Sequence, residues 1–186
     1  LIQRSCVVKR ILSVTALCLI LALTSVACDS SKELGTPPTG NTIPNPTFRA
    51  TLSSANEVPP VSNAEAGSGG TMDITIVATR DAAGAIIAAG VNFSGTLSAF
   101  PNGTVITAAH IHTGAAGVNG GVLVNLGLTA GEITLATGTA GVNKTNIAIT
   151  TDLANQIIAN PGAFYFNAHT AANPGGAVRG QLVRTN

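Results

Sequence analysis

The chain has 186 residues, 45% of them hydrophobic and only 9% charged, a length that suits one domain and a composition that argues against disorder. Formal net charge is +1, but Arg4, Lys9 and Arg10 supply three of the nine basic residues, so from Cys28 onward six basic side chains stand against eight acidic ones. With no Trp, no basic stripe and no aromatic interleaving, nothing remains to build a nucleic-acid surface.

The first segment reads as an export signal. Residues 1–10 are basic, residues 11–27 are apolar, and the run ends Thr24-Ser25-Val26-Ala27-Cys28. Ser13, Thr15, Thr24 and Ser25 interrupt the apolar stretch, which is short for a membrane span of about 20 residues. Small residues immediately before a cysteine resemble the lipobox of bacterial lipoproteins, with Ser25 where Leu is usual. The likeness implies a lipoprotein-type signal peptide over 1–27 and a diacylated thiol at Cys28. Several acyl chains, each buried methylene contributing about 0.8 kcal/mol, anchor firmly where one does not. Cys6 and Cys18 leave with the leader, so the mature chain has no second cysteine for a disulfide. Residues 29–47, with Pro37, Pro38, Pro44 and Pro46, have linker composition and give a reach of roughly 25 Å. Residues 28–47 are therefore expected to be a lipidated N-terminus and flexible linker, and 48–186 the folded domain.

Within that domain, period-two alternation marks strands. Phe48, Ala50 and Leu52 share one face. Met72, Ile74 and Ile76 share another, with Asp73 and Thr75 opposite, and Ile87, Ala89, Val91 and Phe93 repeat the pattern. Further strands are predicted over 105–113, 122–126, 132–137, 146–149, 163–169 and 177–183. One helix is predicted over 152–159, capped by Thr151 and stopped by Asn160-Pro161-Gly162. The fold class is all-β: an antiparallel β-sandwich, Greek-key-like, of about nine short strands with one short helix. Its core draws on Ala, Val, Ile, Leu and Thr, because the chain has only five Phe and one Tyr.

Two segments stand out, AHIHTGAAGVNGGV over 109–122 and NAHTAANPGGAVRGQL over 167–182, and they contain all three histidines. Each reads as a strand, then His-Thr, a turn of Ala, Asn and Gly, and a second strand. Together with Ala55-Asn56-Glu57-Val58-Pro59-Pro60, they resemble the CHRD domain, the module named after chordin, over about residues 48–183. Ser53-Ser54 departs from the Ser-Gly of many members. The resemblance implies an extracellular, β-rich, non-enzymatic interaction module, with no settled biochemical activity. A location in the bacterial cell envelope follows from the leader, with the membrane as one partner through Cys28 and an extracytoplasmic protein or polymer as another.

Alternation places His110 and His112 on one side of their strand, roughly 7 Å apart, with Ile111 on the other. On the second segment Phe164, Phe166 and Ala168 share a face, and Tyr165, Asn167 and His169 share the opposite one. If these strands are neighbours, three imidazoles converge. Three readings remain open: hydrogen bonding to turn carbonyls that locks the hairpins, a zinc or copper site with three nitrogen ligands, or partner contact. A full copper and zinc superoxide dismutase centre is excluded, since that family needs more histidines than three. Glu57 and Arg179, isolated charges in apolar or Gly-rich motifs, are expected to form a two-pronged structural ion pair, with metal ligation by Glu57 or ligand recognition by Arg179 as the alternatives. No G-x-S-x-G elbow and no P-loop lysine is present, so no catalytic residue is assigned.

Overall fold

Nine strands and one helix follow in the order anticipated. A computed structural model describes residues 43–186; the expected signal peptide over 1–27, the Cys28 lipidation site and most of the linker lie outside the described residues. The strands are β1 (Thr47–Ser53), β2 (Gly69–Arg80), β3 (Ile86–Ser98), β4 (Thr104–Thr113), β5 (Val122–Asn125), β6 (Ile133–Leu135), β7 (Ala140–Ile149), β8 (Phe164–Thr170) and β9 (Val178–Arg184). The helix α1 spans Thr151–Ala159. No helix among the described residues is long and apolar enough to cross a membrane.

All the ladders are antiparallel and form a single sheet in the order β5-β4-β8-β9-β1-β2-β3-β7, with β6 also on β4. The two layers of the expected sandwich are thus one sheet curled over on itself. Phe93 of β3 and Phe166 of β8 are separated by three strands in the ladder, yet their ring centroids lie 6.0 Å apart. The far edges meet where β6 contacts β7, and Lys144 of β7 bonds Glu132 across that seam at 2.6 Å. A nearly closed sheet leaves little unpaired edge, which otherwise invites pairing with another chain.

The inner face carries the core. Phe48, Met72, Ile74, Ile76, Phe93, Leu97, Ile111, Leu135 and Phe166 are all fully buried there. Burying each such side chain contributes about 1.5–3 kcal/mol. Ile87 departs from the predicted alternation and is 60% exposed. Thr79 pairs with Ala88 while Arg80 pairs with Ile86, so Ile87 is the extra residue of a bulge and turns outward. A second irregularity, between Ile106 and Ala108, lets both Ile106 and Ile111 face the core while His110 and His112 face out.

The helix begins one residue earlier than predicted. Thr150 is extended, with ψ 152, and its hydroxyl accepts from the Leu153 N–H at 3.1 Å, so Thr150 rather than Thr151 is the cap. Ala154 and Ile157 bury its apolar side, and α1 packs against β3 in the crossover from β7 to β8.

Candidate functional site

Strand β8 is buried along its whole length. Its inner residues meet the core, and its outer residues meet loops folded back over the sheet. On that outer face the register sets His112 beside Tyr165, and Tyr165 beside Gln181. In the next row His110 lies beside Asn167 and Asn167 beside Arg179, while His169 lies opposite Ala108. The convergence anticipated from alternation is therefore formed, because β4 and β8 are adjacent and antiparallel.

The three histidines make one cluster. His110 Nδ1 lies 3.0 Å from His169 Nε2. One ligand atom from each of the three rings falls within 4.8 Å of the others. His112 Nδ1 is 3.0 Å from the Gly120 carbonyl oxygen, and His169 Nδ1 is 3.0 Å from that of Pro174. A carbonyl oxygen only accepts, so both Nδ1 atoms carry the proton and both Nε2 atoms present lone pairs. His112 Nε2 is buried and has no hydrogen-bond partner. Burial pushes His110 down from 6.5 to about 4, helped by the neighbouring His169 and His112, and burial also lowers His169. Among the described residues no hydroxyl or thiol bonds to these rings, so the cluster offers lone pairs rather than an activated nucleophile.

The expected Glu57–Arg179 ion pair is not formed. Among the described residues the ion pairs are Arg49–Asp73 and Lys144–Glu132. Arg179, 1% exposed, spends its donors elsewhere. Nη1 donates to Asn119 Oδ1 at 3.1 Å, and Nη2 donates to the carbonyls of Ala115 at 2.9 Å and Val118 at 2.8 Å. Its guanidinium carbon sits 3.4 Å from the centroid of the Tyr165 ring, which also stacks on His112 with an interplanar angle of 8°. A planar fork satisfied by turn carbonyls pins the loop between β4 and β5 onto the sheet, so the stapling role falls to a different partner. Glu57 is buried against Gly176, where a Cβ would strike its carboxylate, which explains a glycine there at φ 141. Desolvation raises Glu57 from 4.5 to about 7, although the Arg179 charge and the Asn167 side chain pull it back.

Other tethers complete the layer. Gln181 donates to the carbonyls of Gly114, Gly162 and Phe164, Asn119 Nδ2 donates to Val58 O at 2.8 Å, and Asn56 Nδ2 donates to Arg179 O at 3.2 Å. Glu65 was not anticipated as a site residue. It is buried, and its Oε2 accepts from Thr170 Oγ1 at 2.7 Å and Asn173 Nδ2 at 2.5 Å, tying the loop after β1 to the turn after β8. Sequence offered only one hint of it, an isolated acid in a Gly- and Ser-rich stretch. Tyr165, the one tyrosine, did carry a signal, since it shares the face of His169.

The loops leave a cleft of ≈ 510 Å³ whose walls include Val58, Pro60, Ala116 and Gly117, with Glu57 and Arg179 among its lining residues. A family model described as the CHRD domain matches residues 48–182. No curated protein matches, and no solved structure matches.

Proposed function

The chain belongs to the CHRD-domain family, whose domains are generally non-catalytic binding modules, and on that premise we propose that it is a tethered binding module of the bacterial cell envelope. The reading rests on one observation above the others, that loops from three parts of the chain are locked onto the outer face by buried and half-buried side chains. Arg179, Gln181 and Glu65 hold them without the aid of a disulfide. Loops fixed this way lose little conformational freedom on binding, which leaves more of the contact energy as affinity.

The surface so displayed is apolar at its rim. Val58 is 36% exposed and Val118 55% exposed, and Asn119 joins their loops directly. Exposed apolar side chains beside a cleft, Val58 in its wall and Val118 on the adjoining loop, suit an extracytoplasmic protein or a surface polymer with apolar groups. On this reading Cys28 carries the acyl chains and residues 29–47 set the domain off the bilayer.

Two experiments test the two parts. Saturable binding of the purified chain to envelope extract should be lost in the Val58→Asp, Val118→Asp double variant, with an unchanged melting temperature. Binding that is unsaturable, or indifferent to the double variant, overturns the module reading. Cys28→Ser should abolish the acyl mass increment and release the chain from the membrane fraction; retention of both overturns the anchor alone.

A further inference from the structure

We propose that His110, His112 and His169 form a site for one transition-metal cation of the zinc and copper class, bound by three neutral imidazole nitrogens. The placement is rigid, since two ligands lie on β4 and the third on its ladder neighbour β8. Zinc bound tetrahedrally to nitrogen at about 2.0–2.1 Å spaces its ligand atoms roughly 3.3 Å apart. His110 and His169 already approach to 3.0 Å, and the full set spans 4.8 Å. His110 is the least buried of the three residues, and a rotation of its ring would close the remainder.

Hydrogen bonding to turn carbonyls explains part of this arrangement and leaves one atom unexplained. It accounts for Nδ1 of His112 and of His169, and the His110–His169 contact accounts for a third nitrogen pair. It gives His112 Nε2 nothing, although that residue is only 8% exposed and the atom is buried. A buried acceptor whose tautomer is fixed from the far side, aimed among two other imidazoles, is what a metal ligand requires. The backbone carbonyls of Gly120 and Pro174 act as the outer partners that orient ligating histidines in metal sites and raise their basicity. Gly120 is itself constrained, because a Cβ there would collide with the Thr113 carbonyl. Within the cluster the donors are all nitrogen, with no carboxylate or thiolate among the described residues joining it. That donor set suits zinc or copper and disfavours calcium and magnesium, which take oxygen. Three protein ligands leave a fourth position on the His110 side for water or another ligand.

The test uses the untagged chain in detergent, with any free thiol alkylated so that thiols cannot compete. Calorimetric titration with zinc sulfate, and separately with copper(II) sulfate, should show one equivalent bound with Kd of about 10 µM or tighter for at least one metal. His110→Ala, at the least buried of the three positions, should weaken binding at least about tenfold while circular dichroism and melting show an intact fold. Nitrogen-15 spectra of the wild-type imidazoles give a readout independent of any variant: Nε2 of His112 and His169 should shift on metal addition while both Nδ1 atoms keep their protons. Absence of binding tighter than about 100 µM, binding undiminished in His110→Ala, or imidazole shifts unmoved by metal each overturn the proposal.

Discussion

The two faces of β8 are equally buried and are built on opposite principles. Phe164, Phe166 and Ala168 point inward and are covered by the curled sheet itself, through contacts such as Phe166 on Phe93. Tyr165, Asn167 and His169 point outward and are covered by loops: His169 bonds the Pro174 carbonyl and His110, Tyr165 Oη accepts from the Gly120 N–H, and their neighbour Thr170 donates to Glu65. Apolar burial tolerates substitutions that keep volume and pattern, whereas a buried polar layer depends on each partner being present. The inner face therefore sets stability, and the outer face sets the shape and chemistry that the domain displays.

The largest effect should come from breaking the inner side. Phe166→Ala should cost about 3–5 kcal/mol in a denaturant titration, since it removes the ring that bridges β8 and β3. Arg179→Lys breaks the outer side and should cost about 2 kcal/mol, because an ammonium cannot fork to Ala115, Val118 and Asn119 while covering Tyr165. Amide exchange over 114–121 should accelerate in that variant and stay unchanged in β1 and β2. An unaltered loop would mean that Arg179 is not the staple.

Acidity distinguishes the layers more finely. Glu57, raised from 4.5 to about 7, keeps its proton in the folded protein where the unfolded chain has lost it. Its stabilising contribution is present below about 4.5 and fades as pH rises through about 7. His110, lowered from 6.5 to about 4, works in the other direction, and stability falls as pH drops across that interval. The two slopes oppose each other where the windows overlap. Melting temperatures of Glu57→Gln and wild type, compared at pH 5 and pH 8, should move in favour of Gln at the higher value, and the variant alone should lose stability steadily on acidification below 6.5. A constant difference between the two proteins would show that Glu57 does not titrate differently on folding. The smallest effect concerns the bulge: Ile87→Thr, at an outward position, should change stability by less than about 0.5 kcal/mol, and Ile86→Thr by more.

Alternation, turn composition and the spacing of His110, His112 and His169 determined a good deal by themselves. They gave an all-β antiparallel fold with nine strands, one helix after β7, and three histidines on the face opposite Phe164 and Phe166. These features are legible because side-chain direction along an extended backbone repeats every second residue whatever the strand pairs with. Tertiary structure alone decided that the strands join into one curled sheet, that Ile87 turns out at a bulge, and that Arg179 grips carbonyls of the loop after β4 instead of Glu57. It also decided that Glu65 belongs to the buried layer and that His112 Nε2 is left without a partner while His169 Nε2 meets His110. Each of those outcomes depends on which distant backbone group comes within hydrogen-bonding distance. Local periodicity carries no record of that, because the partners are brought together only when the chain closes on itself.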